Sequence, residues 1–194
     1  MNNKNKKKKS IRLKYYDYSI PDDCFITICT HNRKCIFGYI KNGKIILNDL
    51  GRMVREEIIN TQKIRKNVFI GVFYVMPNHI HMVISIIGND CDNNCRGDSI
   101  SYPENCRGTA RRAPTVEQFG KPTINSIPTI IRSIKSAVSN VAHKIGYNSE
   151  IWQRNYYEHI IRNQKSYDEI YNYIISNPGM WDRDRNNPNN LKNN

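Results

Sequence analysis

The sequence predicts an α+β domain built on an antiparallel sheet, and three observations carry that expectation. Asn42-Gly43 lies between the apolar arms of residues 36–47, and an Asn-Gly pair suits a tight hairpin turn because both of its central residues need positive φ. The apolar runs at 24–30 (CFITICT), 68–75 and 79–87 have strand length and are rich in β-branched and aromatic side chains. Two other stretches carry apolar residues at the helical period: Leu50, Met53, Val54 and Ile58, then Ile131, Ile134, Val138, Val141 and Ile145. Hairpin, strands and amphipathic helices mixed in this way form layers of helix on antiparallel sheet.

In chain order, the first strand covers residues 24–30 and the hairpin 36–47. Helix one spans about 49–65. A strand at 68–75 passes through Met76-Pro77-Asn78 into another at 79–87. Residues 88–123 are rich in Asn, Gly, Arg and Pro and read as a long loop insertion. Helix two covers about 128–145 and a further strand 151–162. Ser166-Tyr167-Asp168-Glu169 has the capping-box pattern that opens helix three, which closes near Asn177-Pro178. The expected organisation is a basic arm over 1–14, one domain over 15–181 and a loose polar tail over 182–194.

The chain has 194 residues, 30 Lys+Arg against 17 Asp+Glu, and a formal charge of +13. That length suits one ordinary domain. No apolar run approaches the roughly 18 residues of a membrane span; the longest, 68–76, stops at Pro77. The basic start is followed by no apolar stretch, so a secretory signal is not expected, and a cytoplasmic location without disulfides is. Lys4, Lys6, Lys7, Lys8, Lys9, Arg12 and Lys14 lie within the first 14 residues with no acid among them, and Arg107, Arg111 and Arg112 cluster in the long loop. Such an arm attracts a polyanion by releasing its counterions, and nucleic acid is the commonest one. A tail that only aids solubility is the alternative. Among the cysteines, Cys91, Cys95 and Cys106 share the loop, but they lack a CxxC pair and a nearby fourth ligand, which disfavours zinc. Cys24 and Cys29 belong to an apolar strand and read as packing residues.

The chemistry starts at Pro77-Asn78-His79-Ile80-His81. On a strand, residues i and i+2 project to one face, so His79 and His81 stand side by side while Ile80, Met82 and Ile84 point the other way. Two imidazoles so placed make a two-point metal site. The plainer alternative is a pair of half-exposed histidines on an edge strand. The long apolar flank argues for the middle of a sheet, where two unpartnered imidazoles would be costly. On helix three, Tyr173 and Asn177 are an i, i+4 pair beside the stripe Tyr167, Ile170, Tyr171 and Ile174, so their side chains reach one spot. Taken alone, they could be a packed tyrosine with a wet hydroxyl and an Asn that ends the helix before Pro178.

Together these blocks resemble the REP-associated tyrosine transposases of the HUH class. The matching stretches are Tyr16-Asp17-Tyr18-Ser19, Phe25-Ile26-Thr27-Ile28-Cys29-Thr30, Val75-Met76-Pro77-Asn78-His79-Ile80-His81, and Pro128-Thr129-Ile130-Ile131-Arg132-Ser133 with Lys135-Ser136. Trp152-Gln153-Arg154-Asn155-Tyr156-Tyr157-Glu158-His159 and Tyr173-Ile174 with Asn177-Pro178 complete them, in family order over about residues 11–188. The loop around 88–108 matches nothing in the family pattern. The resemblance implies a ferredoxin-like sheet with the histidines on a central strand. It also implies Tyr173 as nucleophile and His79, His81 and Asn177 as ligands of a divalent ion, Mg²⁺ or Mn²⁺.

The activity it implies is nicking and rejoining of single-stranded DNA near hairpins through a 5′-phosphotyrosine. Lys6, Lys7, Lys8, Lys9, Arg12, Arg107, Arg111 and Arg112 would hold the DNA backbone, with no membrane or protein partner expected. A catalytically silent module that binds hairpins is the alternative. A small H-x-H metal hydrolase is a weaker one, because no acidic general base accompanies the histidines at a recognisable spacing.

Overall fold

The computed structural model describes residues 22–87 and 125–193. The basic arm with Lys6, Lys7, Lys8, Lys9 and Arg12, the loop with Arg107, Arg111 and Arg112, and Cys91, Cys95 and Cys106 lie outside the described residues. Six strands and three helices follow one another: β1 (Asp23–Cys29), β2 (Gly38–Lys41), β3 (Lys44–Leu47), α1 (Asp49–Ile64), β4 (Val68–Val75), β5 (His79–Ile86), α2 (Ile127–Lys144), β6 (Tyr157–Ile161) and α3 (Gln164–Ser176). Short 3₁₀ turns occupy Asn177–Arg183 and Pro188–Asn193. Among the described residues no helix is long and apolar enough to cross a membrane.

Four strands form an antiparallel sheet in the order β4-β5-β1-β6, which makes β5 and β1 its central pair. The hairpin β2–β3 stands apart, turning through Asn42 (φ 51°) and Gly43 (φ 71°) as the Asn-Gly pair requires. Alternation along β5 and β1 sorts the sheet into two unlike faces. Ile26 and Ile28 of β1 with Ile80, Met82 and Ile84 of β5 face the main core, alongside Val54 and Ile58 of α1 and Ile130, Ile134 and Val138 of α2. Phe25 and Val83 face the other way, beneath Tyr167 and Ile174 of α3. The register pairs Thr27 with His81 and Cys29 with His79, so the histidines belong to this second face. All eight residues of β5 are buried, which puts two imidazoles in the interior.

Four local expectations are corrected. Helix α3 begins at Gln164, with Asn163 as its cap: the Asn163 side chain accepts from the Ser166 N–H at 2.9 Å. Asn caps as well as Ser does, and the earlier start displaces the capping box at Ser166. The chain leaves the α-helix at Asn177-Pro178 as expected, since α3 ends at Ser176 with Asn177 as its cap. It tightens into a 3₁₀ turn, where Pro178 sits early enough that its missing N–H costs nothing.

The stretch at 151–162 is also not one strand. Only Tyr157–Ile161 pairs with β1, and Trp152 makes a lone bridge to Thr30. Between them the Lys135 ammonium donates to the carbonyls of Gln153 (2.7 Å) and Asn155 (3.2 Å), which takes those groups out of the ladder. The buried face of α2 runs through Ile130, Ile134, Val138 and Ala142, and it leaves Ile145 exposed past the helix end.

The fourth correction bears on the site. The tail does not stay loose after Asp182: Asp184, Asn186 and Asn187 are buried. Their side chains substitute for regular secondary structure. Asn187 Nδ2 donates to the Trp181 carbonyl (3.0 Å), and Asp184 Oδ1 accepts from the Asn186 N–H (2.6 Å).

Helix α1 meets the chain before β2 at closest range through Gly51. A Cβ there would lie 2.1 Å from the Phe37 carbonyl oxygen. Gly→Ala inside a helix ordinarily gains about 1 kcal/mol. Gly51→Ala should instead lose about 1–3 kcal/mol, the usual cost of overpacking. Urea unfolding of the two proteins measures the sign.

Candidate metal and nucleophile site

Strand β5 brings His79 and His81 to the face under α3, both with no exposed surface. Their Nε2 atoms lie 3.0 Å apart. The side chain of Asn78 settles the proton on His79. Its Nδ2 donates to the carbonyls of Arg33 (2.9 Å) and Asn186 (2.7 Å), so its oxygen must be the atom 2.9 Å from His79 Nδ1. Nδ1 therefore carries the hydrogen, and Nε2 presents a bare lone pair. His81 Nδ1 lies 2.9 Å from the hydroxyl of its cross-strand partner Thr27, which orients that ring as well.

Tyr173, Asp184 and Trp181 converge on the pair, and Asn177 lies beside Tyr173. Tyr173 extends from α3 with its hydroxyl 3.3 Å from His81 Nε2. Its ring stands edge-on to His81 (centroids 5.1 Å apart) and to Phe25 (6.1 Å), and Phe25 in turn stacks on His81 at 5.4 Å. This aromatic packing holds a tyrosine that is 41% exposed, so one edge of the site is open to a ligand. Asn177, one turn later, is buried, and its Oδ1 has no hydrogen-bond partner. Asp184 Oδ2 is likewise buried without a hydrogen bond, 3.6 Å from His79 Nε2. The Trp181 ring lies over His79, their centroids 6.1 Å apart and planes 22° off parallel.

Positive charge rims the site. Arg33 Nη1 donates to the Arg185 carbonyl (3.0 Å), and the Arg185 guanidinium sits 5.6 Å above the Tyr157 ring. Arg33 holds its place from a tight turn in which Asn32 (φ 52°) and Arg33 (φ 53°) are both left-handed. That conformation costs most side chains of order 1 kcal/mol each, offset here by the bonds through the Arg33 carbonyl and guanidinium.

Burial, then Arg185 and Arg33, pushes the His79 pKa down to about 3. Burial and the neighbouring His79 hold His81 well below its ordinary value, against the pull of Asp184. Both rings are thus neutral, the form that binds metals. Burial and Asp184 raise the Tyr173 phenol, while Arg185 and a hydrogen bond from Asn177 oppose the rise. These groups fit a cation: two imidazole nitrogens and a carboxylate oxygen lie within 4.8 Å of one another, all of them buried. The bond from His79 Nδ1 to an amide oxygen is the outer support that metal-binding histidines ordinarily have.

The structure therefore gathers His79, His81, Tyr173 and Asn177 from the sequence-expected set. It adds Asp184, Asn78 and Thr27. Asp184 lies in a polar stretch with no period, and only its place beside His79 in the fold reveals it. Asn78 stood in plain sight inside the Pro-Asn-His-Ile-His block.

A four-stranded antiparallel sheet with the histidine pair on a central strand is the HUH transposase fold. The structure superposes on one of a REP-associated tyrosine transposase bound to a REP hairpin with a TM-score of 0.52, covering 86% of this chain and 73% of that chain. The two are 22% identical, and the likeness is one of fold. The chain belongs to one family with an uncharacterized protein of Haemophilus influenzae (strain ATCC 51907 / DSM 11121 / KW20 / Rd), 40% identical over 178 residues that make up 92% of each. No protein-family model matches the chain.

The histidines make stability pH-dependent. In the unfolded chain they take up protons below about 6.5, while in the fold His79 resists until about 3. The unfolded state thus binds more protons in acid. Stability is full above pH 6.5 and is lost as the pH falls toward 3, by up to about 1.4 kcal/mol per pH unit for each group. Thermal melts in chelator at descending pH should show Tm falling through this window, and His79→Gln should flatten the fall.

Proposed function

We propose that this protein nicks and rejoins single-stranded DNA beside hairpins, with Tyr173 as the nucleophile and a divalent ion, Mg²⁺ or Mn²⁺, at the histidine pair. The observation that carries the reading is the Tyr173 hydroxyl, half-exposed and 3.3 Å from Nε2 of a buried, neutral histidine pair. A REP hairpin is the partner bound in the structure of the transposase with the same fold. That likeness and the basic arm support DNA as the substrate.

The buried imidazoles and the unpartnered Oδ1 of Asn177 fit the ion. His79, His81 and Asn177 would hold it, and when bound it would polarise the scissile phosphate. The protein's own residues do the rest. Phe25 and His81 fix the Tyr173 ring so that its oxygen faces the phosphate rather than the core. The Tyr173 oxygen bonds to phosphorus, the bond from phosphorus to the 3′ oxygen breaks, and the phenol proton is released as the 3′ oxygen gains one. A 5′-phosphotyrosine and a free 3′-OH result. Because the ester keeps the energy of the cut bond, the 3′-OH of a second strand can attack the same phosphorus and expel the tyrosine oxygen, joining DNA without ATP. Arg185 and Arg33 lower the cost of bringing an anion to this edge, and Arg185 over Tyr157 offers a surface for an unpaired base. Lys6, Lys7, Lys8, Lys9 and Arg12, with Arg107, Arg111 and Arg112, would grip the backbone.

The decisive assay is a labelled single-stranded oligonucleotide containing a hairpin, incubated with Mn²⁺ or Mg²⁺ and run on a denaturing gel. Wild type should form a covalent adduct. Tyr173→Phe removes only the hydroxyl and should form none while folding normally, whereas Tyr171→Phe should keep the adduct. Replacing His79 and His81 together by Ala should abolish cleavage and leave most DNA binding, which is mainly electrostatic. Binding by wild type without any adduct would favour the silent hairpin-binding module. Deleting residues 1–10, which hold five lysines, should weaken DNA affinity and flatten its salt dependence. An unchanged salt slope would leave the arm as a solubilising tail.

A further inference from the structure

We infer that Asp184 supplies the anionic ligand of this site, completing with His79 and His81 a metal centre that needs the chain beyond helix α3. This rests on the reading of the histidine pair as a metal site. The two oxygens of Asp184 have separate duties. Oδ1 accepts the Asn186 N–H at 2.6 Å and shapes the turn, while Oδ2 points at His79 Nε2 from 3.6 Å with no hydrogen bond of its own. With the His79 proton committed to Asn78, that approach is one acceptor facing another. Its side chain is 1% exposed, so water does not relieve it. An unpaired carboxylate buried against a lone pair is costly, and a cation between them satisfies both.

The charge count points the same way. Two neutral imidazoles and the Asn177 amide would leave a dication uncompensated in a dry pocket that already lies beside Arg33 and Arg185. One carboxylate halves that charge before any phosphate arrives. Delivery of Asp184 is secured by the Asn78 side chain, which donates to the Asn186 carbonyl two residues on. A hard oxygen beside two nitrogens favours Mn²⁺ or a similar first-row ion over a thiolate-seeking one.

The experiment is a titration of the full-length protein with Mn²⁺ alone, followed by the electron paramagnetic signal of free Mn²⁺ and by quenching of Trp181, whose ring lies over His79. Asp184→Asn keeps an oxygen for the Asn186 N–H and removes only the charge, so the turn is retained; melts in chelator check this. It should weaken Mn²⁺ binding by more than the roughly 10–100-fold typical of a lost outer partner. Asn177→Ala should weaken it less, and Asp184→Glu should recover part of the loss. Equal losses in the Asn and Glu variants would overturn the inference and make Asp184 a turn residue only. Wild-type affinity in Asp184→Asn, with binding abolished by His79→Ala, would also overturn it while leaving the metal reading intact. Absence of Mn²⁺ binding by wild type, or binding that survives loss of both histidines, would overturn both.

Discussion

The side chain of Asn78 joins more of this molecule than any other single group described. Its amide nitrogen holds the carbonyls of Arg33 and Asn186, and its oxygen fixes the His79 ring. Its own carbonyl accepts from both the N–H and the hydroxyl of Thr30. Three stretches of chain, the turn at 30–33, the start of β5 and the turn at 184–187, thereby meet on one fully buried residue. Each such bond adds only about 1 kcal/mol net, but leaving any of these groups unpaired in the interior would cost about 1–3 kcal/mol. The arrangement is therefore all or nothing, and it sets the histidine tautomer on which the site's chemistry depends.

The sheet makes this polarity tolerable by segregating it. One face of β5 and β1 meets α1 and α2 in the larger apolar cluster and supplies most of the hydrophobic stabilisation, roughly 1.5–3 kcal/mol for each large side chain fully buried. The other face carries Thr27, His79 and His81 beneath a smaller apolar patch of Phe25, Val83, Tyr167 and Ile174. A stable face thus supports a reactive one, on strands whose positions the first face determines.

Much of this was legible in the sequence. Apolar runs located both central strands, the Asn-Gly pair the hairpin, helical periodicity α1 and α2, and capping residues the neighbourhood of α3, because each of these signals is local in sequence. The H-x-H pair and the Tyr173–Asn177 spacing were legible for the same reason: partners on one element keep a fixed offset. Asp184 was not. Its neighbours in space, His79 and Asn78, are on another element, and a run of Asp, Arg and Asn reads as solvated chain unless its hydrogen bonds are seen. The split of residues 151–162 was hidden likewise, since it follows from Lys135 on a different helix. The displaced start of α3 is a closer contest, between two capping residues of equal quality three positions apart.

The bonds that shut the site join stretches remote along the chain. Asn78 reaches Asn186 across 108 positions and Arg33 reaches Arg185 across 152. Contacts of such separation carry the largest loop-closure entropy and form after local structure has been laid down. The histidine strand and the tyrosine helix can therefore be in place before the Asp184 turn arrives. In the growing chain Asp184 is made long after His79 and His81, so the pair exists before its carboxylate. Chain order itself places Asp184 last among His79, His81, Tyr173 and Asp184, the groups that meet at the histidine pair.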